Sequence, residues 1–269
     1  MLRSALLNVM IQAARKAGRT LKRDFGEVEH LQVSLKGPAN FVTAADRRAE
    51  EILYQELTKA RPGYGFVGEE GGRREGSDKT HTWLVDPLDG TTNFAHHYPC
   101  FSVSIALAQR DTLLASAVFN PFYSELYSAA RGEGATFNGK KIAVSKVATL
   151  STSLLCTGFP TRNRKLSPNL QYYGEFTQRS HGVRRDGSAA LDLASVASGR
   201  FDGFWEFGLN KWDVAAGILL IEESGGKVSD FEGQPYQLGG PLILATNGLI
   251  HEEMRKAALD ISRRAKPLG

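Results

Sequence analysis

Apolar side chains recur along this chain with two different periods, and stretches of each alternate. Leu6, Leu7, Met10, Ile11, Ala14, Ala17 and Leu21 share one face of a 3.6-residue helix, while Arg15, Lys16, Arg19, Lys22 and Arg23 line the other. Gly26 follows as a stop, so the pattern predicts an opening helix solvated on one side. Thr43-Ala44-Ala45-Asp46 reads as a capping box, with Asp in place of the usual Glu, for a second helix running to about Lys59. Ile52, Leu53 and Leu57 give that helix its apolar stripe, and Pro62-Gly63 closes it. Strand-length runs then take over: Tyr64 to Val67, Trp83 to Val85, Phe101 to Ala108, Thr112 to Phe119, and Glu125 to Ala129. Turns at Gln109-Arg110-Asp111, Gly132-Glu133-Gly134 and Asn138-Gly139 predict an antiparallel meander.

A shift in composition between Ser145 and Ser151 divides the chain into two α/β halves, residues 1–147 and 148–269. The second half reads as a strand near Leu154 and Leu155, then a helix near Leu170 to Gln178. Another helix runs to Gly199 with Ser188 as its N-cap, and a strand covers Asp202 to Phe207. Lys211-Trp212-Asp213 opens a helix whose Val214, Ile218, Leu219 and Ile221 leave little polar surface, so it is buried. A strand at Leu242 to Ala245 and a basic surface helix from Leu249 to about Arg264 complete the pattern.

Composition narrows the class without choosing the chemistry. The 269 residues suffice for a sizeable core, and disordered or fibrous classes are excluded. A net charge of +4 does not demand a nucleic-acid partner. Cys100 and Cys156 lie far apart without zinc-site spacing, which points to a reducing cytoplasmic compartment. Met1 to Arg23 shares the Arg-rich, acid-poor character of a transit peptide, but its apolar face fits a first helix of the fold better. No apolar run reaches transmembrane length.

The stretch richest in chemistry is Trp83-Leu84-Val85-Asp86-Pro87-Leu88-Asp89-Gly90-Thr91-Thr92-Asn93. A buried strand stops at Asp86-Pro87, Asp89-Gly90 turns, and Thr91, Thr92 and Asn93 are helix starters. If Pro87 and Leu88 form a tight elbow, both carboxylates aim at one point, beside the N–H groups of Gly90 and Thr91. Two like charges about 4 Å apart repel by roughly 4 kcal/mol at an effective dielectric near 20. A hard divalent cation would resolve that conflict and leave coordination positions for a phosphate. Further acids stand in Gly68-Glu69-Glu70-Gly71, where Glu70 reads as a flanking surface acid, and in Trp212-Asp213. Each has a plainer reading: Asp-Pro-x-Asp-Gly as a solvated loop, Asp46 as a cap, Asp213 as a partner of its helix dipole. His96 and His97 with Asp86 suggest a mixed zinc site, but adjacent loop histidines point apart and the other candidate ligands are hard oxygens. Gly132-x-Gly134 lacks the third glycine and the βαβ setting of a dinucleotide fingerprint.

The order Gly68-Glu69-Glu70, then Asp86 to Asn93, then Trp212-Asp213-Val214-Ala215-Ala216-Gly217 resembles the inositol monophosphatase family of metal-dependent phosphatases, and within it the bacterial extragenic-suppressor, SuhB-type branch. The resemblance implies an α+β fold, a layered αβαβα sandwich with the site between two α/β halves. It implies Mg²⁺, two to three ions per site: Glu69, Asp86 and the Leu88 carbonyl on one, Asp86, Asp89 and Asp213 on a second, and a weaker third beside Glu69. Thr91 with Glu69 would orient the attacking water, and Asp46 would accept a hydrogen bond from Thr91. Gly90 and Thr91 would seat the phosphate, with Asp89, Gly187, Ser188, Ala189 and Glu206 facing the substrate. Lys36 would belong to a flap over the metals, or is a plain surface lysine. Asn40 and Asp186 depart from the family pattern. The expected substrate is a small polyol phosphate, inositol 1-phosphate first, with histidinol phosphate, fructose bisphosphate or adenosine bisphosphate as alternatives. A homodimer, lithium sensitivity and a transcription-associated contact with RNA polymerase are also implied. The basic clusters Arg162/Arg164/Lys165 and Arg184/Arg185 are compatible with that contact, or are solvated faces.

Overall fold

A computed structural model describes residues 5–27, 33–35, 41–159 and 167–264. Lys36, Asn40, Arg162, Arg164 and Lys165 therefore lie outside the described residues. The first helices are α1 (Ala5–Phe25) and α2 (Ala44–Ala60), with a small antiparallel ribbon of β1 (Val33–Leu35) and β2 (Phe41–Thr43) between them.

The next run of sequence builds a large, mainly antiparallel sheet. Its strands are β3 (Gly65–Gly68), β4 (Gly72–Arg74), β5 (His81–Asp89), β6 (Ser102–Gln109), β7 (Thr112–Asn120), β8 (Glu125–Ala130), β9 (Gly134–Phe137) and β10 (Lys140–Lys141). They lie in the order β10-β9-β8-β7-β6-β5-β3-β4, with β3 and β5 parallel. A short helix, α3 (Thr91–Ala95), follows β5 directly. The second part of the chain builds a five-stranded sheet in the order β12-β11-β13-β15-β14. Those strands are β11 (Leu154–Thr157), β12 (Gly182–Arg184), β13 (Gly203–Phe207), β14 (Lys227–Ser229) and β15 (Leu242–Thr246). Its helices are α4 (Asn169–Arg179), α5 (Ala189–Ala197), α6 (Lys211–Glu223) and α7 (His251–Arg264).

Strand alternation sorts the buried side chains into three cores. Trp83 and Val85 of β5 point to the side of α1 and α2, where they meet Leu21, Leu53 and Leu57. Leu84 points to the opposite side and joins Leu193 of α5 and Leu219 of α6. In the smaller sheet, Cys156 and Phe204 face that same middle core, whereas Leu155, Trp205 and Leu244 face Phe176 of α4 and Met254 of α7. Successive residues serving opposite faces is what a strand covered on both sides requires. The layers run helices, sheet, helices, sheet, helices: an αβαβα sandwich. Helix α6 is apolar all round because it lies between the two sheets, and Val214 to Ile221 are all buried.

The Gly37-Pro38 pair reads as a loop over residues 33–40, so the pattern reading missed β1 and β2; it also missed β4, β12 and β14. The last three are short edge strands carrying Arg73, Arg184 and Lys227, so they lack the apolar run that announces a central strand. Among the described residues, no helix is long and apolar enough to cross a membrane.

Candidate active site

Asp86 and Asp89 are three residues apart, so in a regular strand they would face opposite sides of the sheet. The pairing of β5 with β6 slips between them, from Asp86 opposite Ser104 to Asp89 opposite Ser102. That bulge consumes one extra residue, with Pro87 needing no ladder N–H, and brings both carboxylates to one cavity. The Asp86 carboxylate is braced locally, its Oδ1 accepting the Leu88 N–H at 2.9 Å. Gly90 then turns the chain at φ +95°, where a Cβ would lie 2.8 Å from the Cys100 carbonyl oxygen. Only glycine satisfies both demands. The short α3 after it is anchored by Phe94, whose ring packs against Phe25 and Phe101 with centroids 5.4 and 5.0 Å away.

The remaining acids arrive from other layers. Glu69 stands at the end of β3, the parallel neighbour of β5. Asp213 comes from the first turn of α6, and the Ser104 hydroxyl approaches the Trp212 carbonyl at 3.4 Å, tying that helix start to the strand beside Asp86. Its Oδ2 accepts the Asn210 N–H at 2.7 Å, so Asp213 serves its own helix cap and the cavity at once. Glu206, on β13, faces the same space and is 5 % exposed. The cavity measures about 560 Å³.

Electrostatics report the crowding. Burial first, then the charges of Glu69, Asp89, Asp213 and Asp46, push the Asp86 carboxyl well above the usual carboxylate range. Burial pushes Asp89 up to about 6, against the Ser188 hydroxyl and the Ala190 and Ala189 N–H groups, which pull it down. Burial, then Asp89 and Glu69, raise Asp213; burial, then Asp213 and Asp89, raise Glu206. Among the described residues, the basic side chain lining the cavity is Arg185. Among the described residues, no three His, Cys, Asp or Glu side chains converge into a ready ion cage. The donor set still fits a hard divalent cation: carboxylate and carbonyl oxygens whose mutual repulsion a cation would relieve, several of them oriented by main-chain N–H groups. Mg²⁺ keeps several waters and takes few carboxylates, so a closed protein cage is not what it requires.

Thr91 Oγ1 lies 3.0 Å from the Leu88 carbonyl and 3.5 Å from Asp46 Oδ2. The hydroxyl has one proton, and Leu88 is the nearer acceptor. Asp46 is buried in the first turn of α2 and reaches Thr91 from there. Ser188, expected as an N-cap, opens α5 without capping it; its hydroxyl donates instead to Asp89 Oδ2, which also accepts the Ala190 N–H at 2.8 Å. Gly187, Ser188 and Ala189 thus line the cavity alongside Gly90 and Thr91. Glu70 is no surface acid: its side chain is only 6 % exposed and faces Arg47 at 3.6 Å. His96 and His97 are exposed outside the cavity, and the His97 ring rests 4.4 Å from that of Phe25.

Two residues escaped sequence reasoning. Glu50 of α2, 3 % exposed, accepts the N–H groups of Glu70 and Gly71 at 2.8 and 2.6 Å, bracing the loop that presents Glu69. Gly68 and Gly71 admit it, since a Cβ at either would meet the Glu50 carboxylate at 2.3 or 2.6 Å. A signal existed, because Glu50 occupies a position of the Leu53/Leu57 stripe where an apolar residue belongs. The other is Asp192, the one charged residue of the mostly apolar α5.

A family model described as the inositol monophosphatase family matches residues 2–263. The chain belongs to the inositol monophosphatase family. It is 53 % identical over 258 residues to the inositol-1-monophosphatase of Mesorhizobium japonicum, covering 96 % of this chain and 97 % of that one. It is 43 % identical over 247 residues to Nus factor SuhB of Pseudomonas aeruginosa, covering 90 % and 91 %. Among solved structures it superposes on the extragenic suppressor protein SuhB of Bartonella henselae with a TM-score of 0.91 and 48 % identity, covering 94 % and 98 %. This family membership makes the chain a phosphatase, of a family whose members are generally metal-dependent.

Proposed function

We propose that this phosphatase is Mg²⁺-dependent and hydrolyses the monophosphate of a small polyol, inositol 1-phosphate first. The observation carrying this reading is the gathering of Glu69, Asp86, Asp89 and Asp213 from three remote segments around one cavity. Glu69, Asp86 and the Leu88 carbonyl would hold one Mg²⁺, Asp86, Asp89 and Asp213 a second, with a weaker third beside Glu69. Bound there, the ions would neutralise the phosphate and lower the pKa of coordinated water. The protein's own part is placement. The Thr91 hydroxyl accepts a hydrogen bond from the attacking water while donating its own to Leu88 or Asp46, and Glu69 accepts a second hydrogen bond from the water, so the two orient it for attack. The Gly90 and Thr91 N–H groups seat the phosphate. Asp89, Gly187, Ser188, Ala189 and Glu206 face the polyol. Residues 1–147 and 148–269 act as two halves that meet at this site.

A phosphate-release panel with and without Mg²⁺ tests the reading, using inositol 1-phosphate, histidinol phosphate, fructose bisphosphate and adenosine bisphosphate at equal concentration. Mg²⁺-dependent release fastest from inositol 1-phosphate is expected. Release unaffected by chelation, or faster from another ester, would overturn the cation or the substrate assignment respectively. A second reading adds a transcription-associated role for a cytoplasmic homodimer, in contact with RNA polymerase; the identity to a protein named Nus factor SuhB supports it. Copurification with RNA polymerase that survives Asp89→Asn is its expected signature.

A further inference from the structure

Asp192 takes no part in the chemistry above, yet it is placed to. It stands in the first turn of α5 and is 2 % exposed. Its main-chain N–H closes the helix on the Ser188 carbonyl at 3.0 Å. Among the described residues, no donor reaches its carboxylate and no basic side chain pairs with it. A buried carboxylate left in that condition costs the fold stability, and a Leu would fill the position more cheaply. Protein does not enclose it on all sides, however. Asp192 lines both the 560 Å³ active-site cavity and an adjoining one of about 210 Å³, so it forms part of the wall between them. Glu206 faces the first of these cavities too; burial and then neighbouring acids push both carboxyls up, with Arg185 the charge that pulls each back down.

We propose that Asp192 is a second hydroxyl-reading carboxylate, which with Glu206 and Arg185 recognises the polyol carried by the phosphate ester. The inference rests on the phosphatase reading and names the distal part of its substrate site. A hydroxyl group both donates and accepts, so it suits a surface where acceptors (Asp192, Glu206) stand beside a donor (Arg185). An ammonium group only donates, so it has nothing with which to accept from Arg185.

The test compares wild type with Asp192→Asn in Mg²⁺, on inositol 1-phosphate, on histidinol phosphate and on 4-nitrophenyl phosphate, the last a monoester without hydroxyl groups. Losing one charge-assisted hydrogen bond should raise KM for inositol 1-phosphate by about 10- to 100-fold, with less than about a twofold change for the nitrophenyl ester. The melting temperature of the metal-free, substrate-free variant should equal or exceed that of wild type. Equal losses on inositol 1-phosphate and the nitrophenyl ester, or a melting temperature several degrees lower, would make Asp192 structural and overturn the proposal. A loss confined to histidinol phosphate would assign an ammonium ligand and overturn it as well. If wild type releases phosphate from none of these esters, the phosphatase reading fails and the proposal falls with it.

Discussion

Asp89→Asn separates two jobs done by one side chain. Asp89 Oδ2 holds the Ser188 hydroxyl and the Ala190 N–H, the latter at 2.8 Å. An amide oxygen in that place can keep both bonds, which leaves its NH₂ where Oδ1 faces the cavity. The wild-type carboxyl, raised to about 6 chiefly by burial, is harder to ionise in the fold than in the unfolded chain. An acid shifted upward contributes fully below its unfolded value, near 3.8, and loses that contribution as pH rises through about 6. At pH 8 the loss is complete, at most about 3 kcal/mol, and partial contact with solvent reduces it further. The neutral amide escapes it. In a chelator at pH 8, Asp89→Asn should therefore melt above wild type, by up to about 10 °C. Millimolar Mg²⁺ with inorganic phosphate should raise wild type and close or reverse the gap, because ligands stabilise only the state that binds them. Phosphate release by the variant should fall to less than about a few per cent. Melting below wild type in chelator, or no response of wild type to Mg²⁺, would refute the reasoning; so would retained activity.

Glu50→Ala should cost about 2–4 kcal/mol, since the Glu70 and Gly71 N–H groups lose their charged acceptor, and should raise the Mg²⁺ needed for half-maximal activity. An unmoved urea midpoint with an unmoved Mg²⁺ response would count against the brace. His251, wholly buried between the Ser229 and Thr246 hydroxyls at 2.9 Å each, is pushed down to about 4 by burial and then by Lys227. It stays neutral in the fold while the unfolded chain protonates near 6.5, so stability holds above about 6.5 and declines by up to about 3 kcal/mol toward pH 4. Urea titrations across that window should show the decline in wild type and a flatter profile in His251→Gln. Millimolar lithium should inhibit phosphate release; an indifferent enzyme would separate this chain from the lithium sensitivity that its family resemblance implies.

What could be read from the sequence were features written in local pattern. The amphipathic α1, the all-round apolar α6 and the strand carrying Asp86 announce themselves by period, although that strand does not stop at Asp86-Pro87 as expected but runs through a bulge to Asp89. Glu69, Asp89 and Asp213 stand out as acids at or beside element ends. The meander turns appear where Arg110, Asn138 and Gly139 take positive φ. What stayed hidden depends on partners remote in sequence. Ser188 looks like an ordinary cap until Asp89, 99 residues away, claims its hydroxyl. Glu50 interrupts the apolar stripe of α2, but what it braces shows only when the Glu69 loop folds over it. The bulge that turns Asp86 and Asp89 to one side is a property of the β5–β6 pairing, which neither strand shows alone.

The central claim is that acids from separate layers share cations at one site. A crystal soaked in Mn²⁺ and inorganic phosphate, with anomalous scattering recorded at the manganese edge, tests it most directly. The account predicts anomalous peaks in direct contact with Asp86, shared with Glu69 on one side and with Asp89 and Asp213 on the other, and phosphate beside Gly90 and Thr91. An ordered cavity with no peak touching Asp86 would contradict it.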